Sequence, residues 1–219
     1  MNWARAVAAV GAIVGIIGLG LQYWLLYADM TANGASVLDV TSRYYAYFTL
    51  LTNTLVTLVF ARAALAPNAG SGLNAPRVEL MATTSILFVC LVYNVLLASR
   101  WDPQGWQKVA DVIVHQVVPA LCALYWFLRP PGALRWSDAL FAAIWPAAYA
   151  AYGLTRGQID GFYPYFFLDP TAISWAQIAL NLLGLLAVFV TGALLLIALS
   201  RALARPSQNR PDGVPERPA

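Results

Sequence analysis

The chain has 219 residues, of which 60% are hydrophobic and only 11% are charged. This composition excludes an ordinary soluble domain and is typical of a polytopic membrane protein. The net charge of +3 comes from 13 basic and 10 acidic residues that form no basic stripe, which argues against nucleic-acid binding.

Six stretches without charges are long enough to cross a bilayer, since about 20 residues at 1.5 Å per residue span a hydrocarbon core of about 30 Å. We therefore predict an all-α, polytopic integral membrane protein, with a single domain of six transmembrane helices over residues 1-202. The predicted helices cover about 5-27, 44-66, 78-98, 107-128, 137-154 and 174-202. The Pro- and Arg-rich segment 203-219 is predicted to be a disordered cytoplasmic tail.

The basic residues are distributed unequally between the two sides of such a bundle. When the loops are assigned alternately, nine lie on the side of the termini and four on the other side. Cytoplasmic loops carry the excess of Lys and Arg, so both termini of this multi-pass protein are predicted to lie in the cytoplasm. The four outer residues are Arg43, Arg100, Lys108 and Arg156.

The first predicted helix carries Gly11, Gly15 and Gly18 at helical spacing, followed by Gln22. Small residues at this spacing form a smooth face on which another helix can pack closely. The helix is too long for a signal-peptide core, and no small-residue cleavage site follows it. It is therefore expected to remain in the mature protein.

The second predicted helix presents Thr49, Thr52 and Asn53 on one face. Counted down from the outer helix ends at the helical rise, Thr49 lies about 7 Å deep and Thr52 about 12 Å deep. His115, in the fourth predicted helix, lies about 10 Å deep by the same count. Both threonines are therefore candidate partners of this histidine.

His115 is the only histidine in the chain and lies within an apolar helix. A titratable side chain there is costly and marks a functional site by default. Asp111 precedes it by one helical turn, which leaves two interpretations open: a carboxylate that orients the imidazole, or a headgroup-level charge that never touches the ring. Pro119 has no N–H for the His115 carbonyl, so the helix is expected to bend there.

Other polar side chains fall in the same outer half of the predicted helices. Such groups need partners, and convergence on one outer cavity would supply them. They are Gln22, Tyr93, Asn94, Tyr149, Tyr152, Gln177 and Asn181. The aromatic segment 155-173 between the last two helices is predicted to be either a lid that dips into the membrane interface or an anchored surface loop.

A threonine hydroxyl becomes a nucleophile when a base takes its proton, so a Thr beside a neutral His is the smallest acyl-transfer pair. The amide of Asn53 or Asn94 is then a candidate donor to the developing oxyanion. A Thr–His hydrogen bond that merely joins two helices explains the same residues. A Thr–His distance beyond about 6 Å, with no path for a water bridge, would exclude direct base catalysis.

The sequence lacks the residues and motifs that several other kinds of functional site require. One histidine and two cysteines, Cys90 and Cys122, do not form a zinc or bis-histidine haem site, so no metal or other cofactor is expected. The sequence has no GxSxG elbow, HExxH motif, Walker loop or GxGxxG motif. It also has no internal repeat, which weakens the case for an alternating-access transporter.

Three short features of this sequence occur together in one family of membrane proteins. They are Tyr47-Phe48-Thr49 at the start of the second predicted helix, His115 followed closely by Pro119, and Tyr163-Pro164 in the last outer loop. Over most of residues 5-202 the chain resembles the androgen-induced, FAR-17a-like membrane proteins and their bacterial six-transmembrane relatives. The resemblance implies a six-helix protein of a bacterial inner membrane.

Animal members of that family are threonine hydrolases that cleave fatty acid esters of hydroxy fatty acids with one Thr and one His. The resemblance implies that Thr49 is the nucleophile, that His115 is the base, and that the partners are a lipid or fatty acid ester substrate and membrane lipids. The expected site faces the outer leaflet. Candidate orienting, oxyanion or cavity residues are Asp111, Thr52, Asn53, Asn94, Gln22, Asn181 and Tyr149.

Two alternatives to a hydrolase remain. One is a non-enzymatic lipid-binding or transport membrane protein whose outer polar cavity holds a headgroup or a proton. The other is a structural subunit in which Thr49 and His115 bond to each other only to hold two helices together.

Overall fold

The computed structural model describes residues 3–66, 70–129, 132 and 134–203. Over these ranges the regular structure is entirely helical, which confirms the predicted all-α class. The helices are α1 Trp3–Ala32, α2 Val37–Tyr44, α3 Phe48–Leu65, α4 Pro76–Arg100, α5 Gly105–Leu128, α6 Asp138–Asp160 and α7 Trp175–Leu203. Short 3₁₀ turns occupy Gly72–Asn74 and Phe166–Leu168. Apart from its first residue, the predicted tail 203-219 lies outside the described residues.

Five of these helices, α1, α3, α4, α5 and α7, are long and apolar enough to cross a membrane. The prediction of helices with the length and composition needed to span a membrane is confirmed for these five. α6 has 23 residues, but its aromatic, proline and charged side chains lower its hydropathy, and it is not one of the five. It packs against α4 and α7.

The structure corrects the start of the second predicted helix from residue 44 to Phe48. Residues before it form the separate helix α2, which begins with a capping box. The Ser36 hydroxyl accepts a hydrogen bond from the Asp39 N–H (3.2 Å), and the Asp39 carboxylate accepts one from the Ser36 N–H (2.9 Å). Tyr47 is extended, with φ −91° and ψ 128°, and separates the two helices. Thr49 therefore lies in the first turn of a helix.

The fifth predicted helix, 137-154, extends in the structure to Asp160. An ion pair between Arg156 Nη2 and Asp160 Oδ2 (2.6 Å) stabilises its last turn. Gly161, with φ 73°, ends the helix in the left-handed conformation that favours glycine. The aromatic loop between α6 and α7 is therefore shorter than the predicted segment 155-173. α1 is also longer than predicted and reaches Ala32.

The glycine face of α1 packs closely against α3 and α5, as the sequence predicts. At each of Gly11, Gly15 and Gly18, an added Cβ would overlap a side chain of a neighbouring helix. Gly15 lies against Thr57 of α3, and Gly18 lies against Ile113 of α5. Because only glycine fits these positions without a shift, they set the distance of α1 from both helices.

A partly buried ion pair joins the first turn of α4 to Arg129, which directly follows α5. It lies at the end of the bundle where α1 begins and α7 ends, here called the terminal end. Arg129 Nη1 lies 2.6 Å from Glu79 Oε1, and the Tyr125 hydroxyl and the Asn74 amide donate to the same oxygen at 3.3 Å and 3.0 Å. A buried carboxylate requires such partners. The opposite end, here called the loop end, carries the predicted site.

We expect Gly15→Ala to lower the free energy of unfolding by about 1–3 kcal/mol, because overpacking a tight contact forces α1 away from Thr57. Unfolding titrations in mixed micelles would measure the change. Gly20→Ala is the matched control on the same helix, since a Cβ at Gly20 meets nothing within 4 Å. Alanine is the better helix former, so this variant should gain up to about 1 kcal/mol. Equal effects of the two substitutions would contradict the packing described for α1.

Candidate functional site

Thr49 is the second residue of α3 and is buried, with 8% of its surface exposed. Amides in the first turn of a helix have no partner within that helix. The Thr49 N–H donates instead to Tyr165 Oη at 3.4 Å. The candidate nucleophile therefore sits at the positive end of a helix dipole, a position that favours developing negative charge.

His115 lies in a π-turn, Ile113–Val117, in the middle of α5. The Val118 N–H donates to the Ile113 carbonyl, five residues earlier. Pro119 follows at once and has no N–H for the His115 carbonyl. The helix next to Pro119 thus contains a π-turn, a feature that is frequent at functional sites, and the predicted bend stays a prediction.

The structure brings Thr49 and His115 together, with 3.5 Å between Thr49 Oγ1 and His115 Nε2. On the other side of the ring, Nδ1 lies 3.1 Å from the Asp111 carbonyl oxygen and 3.2 Å from Asp111 Oδ1. Both neighbours of Nδ1 are acceptors, so Nδ1 carries the proton of the neutral ring. Nε2 is then the free acceptor that faces the Thr49 hydroxyl. The distance lies well within the 6 Å limit for direct base catalysis.

Asp111 is buried and contacts the imidazole, so the interpretation of this residue as a headgroup-level charge that never touches the ring is wrong. Tyr93 holds its second carboxylate oxygen, since the phenol donates to Asp111 Oδ2 at 2.5 Å. The Tyr93 ring also stacks on the His115 ring, with 3.8 Å between centroids and 14° between planes. Tyr93 begins a second π-turn, Tyr93–Leu97, in α4. These contacts fix the carboxylate and the imidazole from a neighbouring helix.

Sequence reasoning placed Tyr93 only among the outer polar groups and did not connect it with Asp111. The one sign of this contact in the sequence was a phenol in the same outer half of the predicted helices as His115, on another helix. Pairing across helices depends on helix rotation, which the π-turn at Tyr93 changes locally.

Thr52 and Asn53 share the face of Thr49 but serve other contacts. The Thr52 hydroxyl accepts a hydrogen bond from Trp145 Nε1 of α6 at 3.0 Å. The Asn53 amide donates to the carbonyls of Thr49 (2.8 Å) and Val114 (3.1 Å). Thr49 is therefore the threonine beside His115, and Asn53 has no amide hydrogen left for an oxyanion.

The other predicted residues form hydrogen bonds at different places, and the expected convergence of the outer polar groups on one cavity holds for Tyr93 and Tyr149. Gln22, Asn94 and Asn181 do not line the cavity described below. The bonds are Gln107 to Gln22 (2.9 Å), Asn94 to the Cys90 carbonyl (2.7 Å), Asn181 to the Phe167 carbonyl (2.9 Å) and Tyr149 to the Ala46 carbonyl (2.8 Å). Asn94 is exposed and is not placed to serve as an oxyanion donor to Thr49.

A cavity of about 280 Å³ lies between α3, α4, α6, α7 and the loop that joins α6 to α7. Its walls are mainly aliphatic and aromatic. The lining residues that carry a hydroxyl are Thr49, Tyr93, Tyr149 and Tyr165. Leu186 of α7 lines the cavity and is 40% exposed, so the cavity reaches the outer surface of the bundle. The Thr49 hydroxyl thus faces both a histidine and an apolar space.

The aromatic loop after α6 covers the loop end of this cavity. Tyr165, Phe167 and Leu168 are buried and line it, while Phe166 is 40% exposed. The bond from Asn181 of α7 to the Phe167 carbonyl anchors the loop. The loop is anchored, as one of the two interpretations predicted, and its side chains close the cavity. A lid that dips into the membrane interface stays a prediction.

No protein-family model, curated protein or solved structure has a significant match to this chain. The resemblance to the androgen-induced, FAR-17a-like family therefore stays a prediction.

We expect ¹⁵N NMR of histidine-labelled protein to show a proton on Nδ1, because both neighbours of this atom are acceptors. Only one histidine occurs in the chain, so the spectrum reports on His115 alone. Thr49→Val is the matched control: it removes the hydroxyl beside Nε2, and only the Nε2 shift should move. A ring protonated at Nε2 would show that the assigned hydrogen bonds are wrong.

Proposed function

We propose that this protein is an intramembrane hydrolase that cleaves lipid esters, with Thr49 as nucleophile and His115 as general base. The observation that carries the proposal is the hydrogen-bonded series from Thr49 through His115 to Asp111, beside an apolar cavity that Thr49 lines. A nucleophile, a base and a group that orients the base are the parts that acyl transfer needs.

The proposed topology has six spans, with α6 as the sixth, and both termini in the cytoplasm. The 23 residues of α6 cover about 34 Å at the helical rise, and α6 packs against two membrane-type helices. Nine of the 13 basic residues fall on the side of the termini, which supports this orientation. The site then faces the outer leaflet. The family resemblance favours the inner membrane of a bacterium.

The proposed substrate is an ester with at least one long acyl chain. The aliphatic and aromatic walls of the cavity suit a hydrocarbon chain, and its opening beside Leu186 would admit that chain from the side of the bundle. The ester carbonyl would then lie beside the Thr49 hydroxyl. The family resemblance favours fatty acid esters of hydroxy fatty acids.

In the first step, Thr49 Oγ1 attacks the ester carbonyl carbon while its proton moves to His115 Nε2. The carbonyl electron pair moves onto the oxygen and returns as the bond to the leaving alkoxide breaks. His115 gives the proton to that alkoxide, which leaves as an alcohol, and an acyl-threonine ester remains. The Asp111 carboxylate stabilises the imidazolium between these transfers.

In the second step, water attacks the acyl carbon, and His115 takes one of its protons. The fatty acid leaves as the C–O bond to Thr49 breaks, and the proton returns from His115 to Thr49. The His115 side chain keeps 13% of its surface accessible, which leaves room for a water beside the ring. Asp111 holds the ring in one orientation through both steps.

A fluorophosphonate probe with a long alkyl chain is expected to label the purified protein at Thr49, as detected by peptide mass spectrometry. Labelling should disappear in Thr49→Ala and fall by about 10²-fold or more in His115→Ala, since a positioned base contributes that much. Thr52→Ala is the control, because Thr52 bonds to Trp145 and not to His115. It should leave the labelling rate unchanged.

Labelling that persists unchanged in Thr49→Ala would overturn the assignment of the nucleophile. Retention of an intact lipid without turnover of any ester would favour lipid binding or transport instead. If His115→Ala lowered thermal stability but left the activity of the folded fraction unchanged, the Thr49–His115 bond would be structural only.

A further inference from the structure

The ring of Tyr165 is held firmly in the loop that covers the cavity. It is 7% exposed and stacks on Phe167, with 5.2 Å between centroids and 9° between planes. The edges of Tyr149 and Tyr47 meet it at centroid distances of 6.2 Å and 6.3 Å. Aromatic contacts on several sides thus fix the direction of the phenol oxygen.

This oxygen points at the candidate nucleophile. The Thr49 N–H donates to Tyr165 Oη at 3.4 Å, and the Thr49 hydroxyl is also a hydrogen-bond neighbour of the phenol. Both residues line the cavity. When Thr49 attacks the carbonyl carbon of an ester, the carbonyl oxygen would therefore develop its charge near the Tyr165 hydroxyl and near the Thr49 amide.

The other hydroxyls that line the cavity already donate to strong acceptors. Tyr93 donates to Asp111 Oδ2 at 2.5 Å, and Tyr149 donates to the Ala46 carbonyl at 2.8 Å. In the part of the chain that the structure describes, the Tyr165 phenol donates to no carbonyl or carboxylate. Its hydrogen is therefore not held by an acceptor as strong as those of Tyr93 and Tyr149.

We propose that the Tyr165 hydroxyl and the Thr49 N–H together form the oxyanion site of this protein, an inference that rests on the proposed hydrolase function. As Thr49 attacks the ester, the carbonyl electron pair moves onto the oxygen. The phenol and the amide donate hydrogen bonds to that oxygen without transferring a proton. The 3.4 Å bond between these two groups is long and therefore weak, so little is lost when both donate to the oxygen instead.

Two physical features suit these groups to the role. Burial raises the pKa of Tyr165 to about 12, so the phenol stays protonated and remains a donor at neutral pH. The Thr49 amide lies in the first turn of α3, where the helix dipole adds positive potential. Both donors are in place before substrate binds, as electrostatic stabilisation of a transition state requires.

The test is ester turnover by the purified full-length protein with Tyr165→Phe, which keeps the stacked ring and removes only the hydroxyl. We expect kcat to fall by about 10²-fold or more, the usual cost of one oxyanion donor, with little change in KM. Tyr163→Phe is the matched control, because Tyr163 lies in the same loop but packs against Gly157 of α6. It should keep the wild-type kcat.

A second measurement separates this role from a structural one. An alkyl boronic acid forms a tetrahedral adduct with the Thr49 hydroxyl, whereas the alcohol with the same alkyl chain only fills the cavity. Tyr165→Phe should weaken inhibition by the boronic acid by about 10-fold or more and leave binding of the alcohol unchanged. Equal loss of both would assign Tyr165 to packing and overturn the oxyanion role.

The outcomes also distinguish this inference from the function on which it rests. If turnover depends on Thr49 and His115 but Tyr165→Phe keeps the wild-type kcat, the oxyanion role is wrong and the hydrolase remains. If wild-type protein shows no turnover that depends on Thr49, both proposals fall.

Discussion

The contact between His115 Nδ1 and Asp111 is the interaction on which the rest of the site depends. A histidine without partners in an apolar helix is unfavourable. Here the carbonyl and the carboxylate of Asp111 accept hydrogen bonds from the ring N–H. That arrangement leaves Nε2 unprotonated toward Thr49. Tyr93 completes this set of contacts, because its phenol donates a hydrogen bond to the second carboxylate oxygen of Asp111 and its ring covers one face of the imidazole. A buried carboxylate with fewer partners would be costly.

Two irregular turns make this arrangement fit into packed helices. The π-turns at Tyr93–Leu97 and Ile113–Val117 each rotate the helix locally, and the stacked pair Tyr93 and His115 lies within them. α1 packs against the second of these π-turns, since Gly18 lies directly against Ile113. The close packing of α1 against Ile113 therefore supports the geometry of the π-turn that holds His115.

The proposed ester cleavage would need an apolar space for the substrate and a polar group at the reacting carbonyl, and two parts of the chain would supply them. The walls come from membrane-type helices and α6, whereas the aromatic loop before α7 supplies Tyr165 at the loop end. The two parts meet at Thr49. Its position in the first turn of α3 brings its amide and hydroxyl to the edge of the cavity.

The sequence by itself determined the helical class, the five membrane-type helices that the structure confirms among the six predicted, and the close-packing glycine face. It also offered the pairing of Asp111 with His115 as one of two interpretations. Each follows from composition or from the 3.6-residue helical period. Only the tertiary structure decided which threonine meets His115, because depth along a helix does not report its rotation. It also moved the start of α3 to Phe48 and turned Asn53 and Asn94 away from the expected oxyanion role. Tyr93 stacks on His115, which lies 22 residues further along the chain. Tyr165 bonds to Thr49 across 116 residues. No local sequence pattern encodes contacts between such distant segments.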